Sequence, residues 1–262
     1  MKKSMKKVLS VLLAVLMLAS VATMFAACSK DNTPDSELIK EKGKLVVGVT
    51  DYSPIDYKDA NGKWTGFDAE FAEAFAKSLG VEVEFVEIKW DNKFIELDSK
   101  NIDLIWNGMT ISDSVKTNCD VSTAYASNSQ VVVMKADKVA DTTDALTDLT
   151  IAVEKGSAGE AEAKKYTSNI VSLTAQADAL KEVKAGTADA CIIDSTMANA
   201  MTAEGTDFAD LTYKLALTTE EYGVGLRKGS DLMDTLNQFI AQSKTDGTLD
   251  ALSEKYGVDV AK

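Results

Sequence analysis

The chain has 262 residues, of which 45% are hydrophobic and 26% are charged, and its formal net charge is −13. This composition is typical of a folded protein and excludes collagen-like and disordered chains. Since the sequence contains no histidine, imidazole bases, Ser–His or Cys–His pairs and histidine metal ligands are excluded, and the acidic charge argues against nucleic-acid binding.

The N-terminal segment has the layout of a signal peptide. Four lysines stand in the first seven residues, an uncharged run covers residues 8–29, and Phe25-Ala26-Ala27 leads into Cys28. This end resembles a bacterial lipobox, although Phe25 stands where an aliphatic residue is usual. We therefore predict that residues 1–27 are removed and that Cys28 is lipidated. An ordinary cleaved signal or an uncleaved anchor is the alternative, and each places the remaining chain outside the cytoplasm.

The segment after Cys28 is polar and has no apolar periodicity at its start. It is predicted to be a tether, over residues 28–40, that holds a folded domain away from the membrane.

Strand and helix patterns alternate from Lys44 onward, which predicts an α/β fold. The phenylalanines at 67, 71 and 75 are spaced four apart, so a helix is expected up to Gly80, with Asp68 as its N-cap. Further expected elements in this first part are strands over 45–49, 81–88 and 102–108 and a short helix over 91–100.

A second series of elements begins near Gln130. It predicts strands from 130 and over 150–154, 169–173 and 189–194, with helices over 159–167 and 175–185. Strands over 211–217 and 222–229 and two helices over 231–244 and 247–256 close the chain. The pattern therefore indicates a second α/β unit, followed by strands and helices that lie outside this unit.

Side chains just after strands are the candidates for a binding site, because open α/β sheets bind ligands at the carboxyl ends of their strands. Tyr52 and Trp90 occupy such positions, where an aromatic ring is either a ligand platform or a plug over the sheet. Gly108 permits close backbone approach, and Thr110 and Ser112 place two hydroxyls two residues apart.

Two more candidates lie in the second unit. Ser157 stands in a small-residue turn before a helix, where free N–H groups can bind an anion. Asp194 ends an apolar strand, so its carboxylate either holds an ammonium group or caps the next helix. No catalytic set, phosphate-binding loop or metal-ligand cluster is found, so the sequence predicts binding without a cofactor or metal rather than catalysis.

Cys119 and Cys191 each lie in an apolar stretch. The predicted compartment permits a disulfide between them, but the apolar surroundings favour two buried thiols.

These motifs, in this order and spacing, resemble the extracellular substrate-binding proteins of ABC importers, polar amino-acid branch. The likeness covers residues 41–260 and is carried by residues 52–57, 61–68, 108–112, 153–157, 188–194 and 222–229. It implies a periplasmic-binding-protein-like fold: two α/β lobes joined by two hinge strands, with a ligand cleft between them. The first lobe is expected to comprise residues 41–128 plus 219–262, and the second residues 129–218.

The resemblance also implies roles for the candidate residues. Tyr52 and Trp90 correspond to the pair that sandwiches the ligand side chain. Gly108 and Thr110 correspond to acceptors for the α-amino group, and Asp194 to its ionic partner.

Ser157 corresponds to a donor to the α-carboxylate. The implied function is capture of a polar amino acid or similar small solute, by a monomer that is lipid-anchored on the extracellular face of the membrane, for delivery to an ABC permease. An enzyme on the same fold, similar to a dehydratase, and a sensory ligand-binding module are the alternatives.

One position departs from the family pattern. The family places an arginine that clamps the ligand carboxylate where this sequence has Val115. Three alternatives follow. Lys116 replaces the arginine, the helix N-terminus at Ser157 contributes more to binding the carboxylate, or the ligand has no carboxylate at this place. The identity of the ligand therefore stays open.

Overall fold

A computed structural model describes residues 33–262, so the predicted signal peptide and Cys28 lie outside the described residues. Residues 35–262 form one compact unit. Within residues 33–262, no helix combines the length and the apolar character that a membrane span requires.

Strands and helices alternate along the described chain. The helices are α1 (Asp35–Lys42), α2 (Phe67–Leu79), α3 (Lys93–Asp98), α4 (Asp113–Asn118), α5 (Ala158–Ala163), α6 (Gln176–Ala185), α7 (Ser195–Met201), α8 (Met233–Thr245) and α9 (Thr248–Tyr256). The strands are β1 (Lys44–Val49), β2 (Tyr57–Lys58), β3 (Trp64–Thr65), β4 (Glu82–Glu87), β5 (Leu104–Ile105), β6 (Asp120–Val121), β7 (Ala126–Asn128), β8 (Gln130–Lys135), β9 (Ile151–Glu154), β10 (Ile170–Leu173), β11 (Ala190–Asp194), β12 (Leu211–Ala216), β13 (Glu220–Tyr222) and β14 (Gly225–Leu226).

The first sheet has the order β4-β1-β5-β14-β6. β1 pairs in parallel with β4 and β5, whereas β14 runs antiparallel to β5 and β6. The buried face of α2 packs here, with Phe71 and Phe75 against Trp106 and Phe239. We call the half of the molecule built on this sheet the first lobe.

The second sheet has the order β10-β9-β11-β8-β12. β9 pairs in parallel with β10 and β11, and β8 runs antiparallel to β11 and β12. Its strands come from one continuous part of the chain, and we call the half built on it the second lobe.

The chain passes between the two sheets twice. β7 leads into the second sheet and β13 leads out of it, and the two strands pair antiparallel with Asn128 opposite Glu220. The two-lobe α/β fold with two connecting strands is therefore as expected, and the carboxyl ends of β9 and β11 lie close to this crossing.

Three local expectations need correction or are resolved. The tether cannot extend to residue 40, because α1 begins at Asp35 and buries Ile39 in the core. Asp68 is not the N-cap of α2: the helix begins at Phe67, and the buried Asp68 carboxylate accepts hydrogen bonds from Gly108 N and Tyr125 Oη instead. Cys119 and Cys191 are both free and buried.

Candidate ligand-binding site

A cavity of about 240 Å³ brings together all seven residues that the sequence marked as candidates. They are Tyr52, Trp90, Gly108, Thr110, Ser112, Ser157 and Asp194. The first five come from the first lobe and the other two from the second, so the cavity lies between the two halves of the fold.

The aromatic residues form the apolar part of the cavity wall. Tyr52 is 2% exposed, and its hydroxyl is 2.8 Å from the hydroxyl of Tyr222. Gly108 adopts a φ of 58°, and a Cβ there would lie 2.8 Å from the Tyr52 ring. The glycine therefore allows the backbone to approach this ring, which a larger residue would prevent.

The hydroxyl groups of the two serines and of Thr110 form hydrogen bonds with backbone N–H groups or with a carboxylate. Ser112 and Ser157 are N-caps, whose Oγ atoms accept hydrogen bonds from Val115 N at 3.2 Å and Glu160 N at 3.1 Å. Thr110 Oγ1 donates to Glu220 Oε1 at 3.0 Å. The two serine hydroxyls keep their own hydrogens for donation, so they can bind an acceptor in the cavity.

Asp194 lies at the N-cap position of α7 but makes no capping hydrogen bond. Its carboxylate accepts hydrogen bonds from the side-chain amides of Asn128, Gln130 and Gln176. All three donors are neutral, and the residue is 4% exposed. The capping alternative is therefore wrong, and the charge of Asp194 has no cationic partner among the described residues.

A second carboxylate shares two of these amides. Glu220 Oε1 accepts from Asn128 Nδ2 at 2.7 Å and from Gln130 Nε2 at 2.8 Å, so both amides bridge Asp194 and Glu220. Burial and the charge of Glu220 raise the pKa of Asp194 to about 7. The arrangement concentrates negative charge at the crossing strands and suits a cationic group.

Four charged residues line the cavity that the sequence analysis did not assign to ligand binding: Lys93, Glu154, Glu162 and Glu220. Glu154, at the end of β9, is 3% exposed, and its Oε1 has no hydrogen-bond partner within residues 33–262. Lys93, in α3, is 5% exposed and lies over the Trp90 ring at 4.5 Å. Burial lowers the pKa of Lys93 to about 8, while burial and the charge of Asp194 raise that of Glu154 to about 8.

The position that departs from the family pattern also lines the cavity. Val115 packs with the apolar cluster that includes Trp90, Met109 and Cys119. Lys116, which we considered as a replacement for the arginine, is exposed and is not among the lining residues. The lysine that lines the cavity is instead Lys93.

The two lobes touch at the edge of the cavity. Lys155 forms an ion pair with Asp91 at 2.8 Å, and Lys93 Nζ donates to the Gly156 carbonyl at 3.1 Å. A Cβ at Gly156 would lie 3.0 Å from the Asp91 backbone. These contacts hold the cleft in a closed arrangement, in which the residues from both lobes surround one volume.

The buried acids give the protein an unusual expected pH dependence. Burial raises the pKa of Asp56, Asp68, Asp194 and Glu154, the last three to about 7, 7 and 8. The folded protein therefore binds more protons than the unfolded chain between pH 5.5 and 7.5. These groups therefore add to the free energy of unfolding at the lower pH, and this contribution is lost as the pH rises. We expect the melting temperature of ligand-free protein to fall across this range.

Thermal unfolding in buffers from pH 5.5 to 7.5 measures this directly. The Glu154→Gln variant should show a shallower decline, because one of the titrating groups is removed. A melting temperature that rises with pH in the wild type would contradict the protonated state of these acids.

Comparison with known proteins assigns the family. Residues 45–259 match the model of the bacterial extracellular solute-binding proteins, family 3. The L-cystine-binding protein of Escherichia coli (strain K12) is 38% identical over 231 residues, which is 86% of each chain.

Two solved structures are also similar. An ABC uptake transporter substrate binding protein from Streptococcus pneumoniae with bound histidine is 27% identical with a TM-score of 0.81, covering 88% of this chain and 99% of that one. An ancestral amino acid-binding protein, a precursor of cyclohexadienyl dehydratase, is 35% identical with a TM-score of 0.77, covering 84% of this chain and 98% of that one. On the family match and the identity to the E. coli relative, the chain belongs to the bacterial extracellular solute-binding proteins, family 3.

Proposed function

We propose that this protein captures a small amino-acid-like solute between its lobes and delivers it to the permease of an ABC importer. The observation that carries the proposal is the buried Asp194 carboxylate, which lines a closed cavity and is held by three neutral amides. Such a group recognises an ammonium, because the ligand supplies the countercharge that the protein lacks. The relatives named as cystine-binding and histidine-bound proteins support an amino acid as the solute.

The proposed site uses the residues marked by the sequence together with Lys93. Tyr52 and Trp90 contact the apolar part of the solute, and Gly108, Thr110 and Asp194 hold its ammonium. Ser112 and Ser157 donate to a carboxylate. Since the side chain of Val115 cannot donate, Lys93 is the one cation within the cavity wall formed by the described residues that can pair with such a carboxylate.

Delivery requires the protein to remain at the membrane and to open. We propose that Cys28 is lipidated and anchors a monomer at the extracellular face of the membrane. Residues 41–128 plus 219–262 form one moving body and residues 129–218 the other. The paired strands β7 and β13 are the hinge, because they are the two passages between the sheets.

Turnover is the weaker alternative. Asp194 and Glu154, each with a raised pKa, are the candidate general acids or bases for it, and one structural neighbour is a precursor of a dehydratase. We propose binding without reaction. A solute recovered chemically unchanged after incubation and denaturation of the complex supports binding, whereas a converted product supports the enzyme.

The proposed function predicts a large thermal shift. Protein that has been unfolded and refolded to remove any co-purified solute is screened against the L-amino acids, their amines, dipeptides and small sugars. A ligand at about a thousand times its Kd adds about 4 kcal/mol, which raises the melting temperature of a domain of this size by roughly 8–16 °C. A shift with one or a few amino acids or amines is expected. A shift only with a sugar would exclude the proposed solute class.

A further inference from the structure

The carboxyl group of Glu154 is the least satisfied polar group in the cavity wall. It lies at the end of β9, is 3% exposed, and its Oε1 has no hydrogen-bond partner among residues 33–262. A buried carboxyl without a partner is costly, and such groups in native proteins call for an explanation. The cavity that Glu154 lines offers one, since a ligand placed there can donate to the carboxyl group, which has no hydrogen bond to another side chain among residues 33–262.

The charges of the cavity wall do not balance. Glu154, Asp194 and Glu220 have no ion-pair partner within the described chain, and Lys93 is the single ammonium in the wall. The remaining acid of the wall, Glu162, is paired with Lys165 at 2.6 Å. With all three acids ionised, a neutral zwitterion would leave an excess of two negative charges in the wall, whereas a ligand with a net positive charge reduces that excess.

The acids form two separate acceptor sites. Asp194 and Glu220 share bridging amides at the crossing strands, whereas Glu154 lies at the end of the neighbouring strand β9. Adjacent strands are about 4.8 Å apart. A single molecule of amino-acid size can therefore reach both sites within a cavity of about 240 Å³.

We propose that the ligand carries two cationic nitrogens, one held by Asp194 and Glu220 and the other by Glu154. The proposal rests on the proposed function, because it concerns the same cavity. Two kinds of solute share this chemistry, basic amino acids and diamines. They differ in the carboxylate, for which Lys93 is the available partner.

The ionisation of Glu154 supports this role. The charged groups that face it are Asp194 from β11, Lys93 from α3 and Asp91 from the turn before α3, and burial with Asp194 raises its pKa to about 8. At pH 7 the empty site therefore holds a proton. A cation that binds beside Glu154 favours the ionised form, so binding is expected to release that proton.

The test uses calorimetric titration at pH 7 with matched probes. L-arginine and L-lysine carry the second cation, L-citrulline and L-norleucine are their neutral counterparts, and agmatine and cadaverine lack the carboxylate. At least one of the four cationic probes is expected to bind tenfold or more tightly than the related neutral amino acid, which is L-citrulline for L-arginine and agmatine and L-norleucine for L-lysine and cadaverine. Repeating the titration in two buffers of different ionisation enthalpy should show proton release with the cationic probe.

The variants assign the effect to Glu154. Glu154→Gln keeps the shape of the side chain and is expected to lower affinity for the cationic probe at least tenfold, as for a lost charged hydrogen bond. It should also lower the proton release to the level seen with the neutral probe, which Asp194 alone sets, and leave the affinity for the neutral probe unchanged. Asp178→Asn, an acid outside the cavity wall that pairs with Lys181 at 2.8 Å, is the control and should change neither.

The outcomes separate this inference from the proposed function. Neutral amino acids that bind as tightly as the basic ones, or a Glu154→Gln variant that keeps the preference, would overturn the two-cation ligand while leaving amino-acid capture intact. If no amino acid or amine binds, the proposed function and this inference are both overturned. Since the wild-type comparison needs no variant, the result stands even if Glu154→Gln folds poorly.

Discussion

Asp194→Asn is expected to lower ligand affinity on the order of 100-fold. The wild-type carboxylate accepts from Gln130 Nε2 at 2.7 Å and from the amides of Asn128 and Gln176, none of which is charged. Its negative charge is therefore available to an ammonium on the ligand. A charged hydrogen bond contributes about 1.5–3 kcal/mol, and each 1.4 kcal/mol changes affinity tenfold.

The substitution also disturbs the local hydrogen bonds. The side-chain amide of Gln176 donates to Asp194 while its oxygen accepts from Asp194 N at 3.0 Å, so Gln176 cannot turn over to accept from an asparagine without losing the backbone contact. The new amide nitrogen therefore faces another donor. This places the expected loss toward the upper end of the range for a single charged contact.

The measurement is a calorimetric titration with whichever amino acid or amine gives the largest thermal shift. Asp178→Asn is the matched control, since Asp178 is a partly exposed acid on α6 that pairs with Lys181 at 2.8 Å. That variant should bind like the wild type. An Asp194→Asn protein that folds and binds within threefold of the wild type would mean that the ammonium site lies elsewhere.

Much of the architecture could be predicted from local patterns. The four-residue spacing of Phe67, Phe71 and Phe75 gave the correct helix, and Gly80 ends it with a φ of 73°. Strand ends are local features too, which is why the turns after β1 and β5 supplied residues that do line the cavity. The first turn of α2 was less predictable, because the Asp68 carboxylate accepts a hydrogen bond from Gly108 N, which is distant in sequence, and does not cap its own helix.

The charge arrangement of the site depended on long-range pairing. Glu220 meets Asn128 because β13 pairs with β7, and no local pattern indicates a contact between residues 92 positions apart. Lys93 lies in a short helix after two polar residues, where a lysine ordinarily indicates a solvated face. It is buried between the carbonyl of Trp90 in its own lobe and the carbonyl of Gly156 in the second lobe, both of which accept from its ammonium group. Sequence therefore indicated which residues line the cavity better than which charges surround it.

Arg227→Met is expected to reduce the free energy of unfolding by about 3–5 kcal/mol, the cost of leaving a buried charge without its partner. The guanidinium of Arg227, which is 9% exposed, pairs with Asp35 at 2.8 Å and with Asp103 at 3.3 Å. It also donates to the carbonyls of Leu97 and Ile102 at 3.1 and 2.6 Å. Arg227, which directly follows β14, is thereby connected to α1 and to the end of α3 in the first lobe.

Thermal unfolding measures this effect, and the melting temperature should fall by roughly 6–20 °C, given about 2–4 °C per kcal/mol for a domain of this size. The adjacent Lys228→Met is the control, because its exposed ion pair with Asp120 at 3.2 Å contributes at most about 1 kcal/mol. Since Arg227 is not among the cavity residues, ligand affinity at a temperature where the variant is folded should be unchanged. A loss of affinity without a loss of stability would place the single arginine of the chain in the binding process. An unchanged melting temperature would show that Lys42, which contacts Asp103 at 2.5 Å, is sufficient to neutralise this cluster.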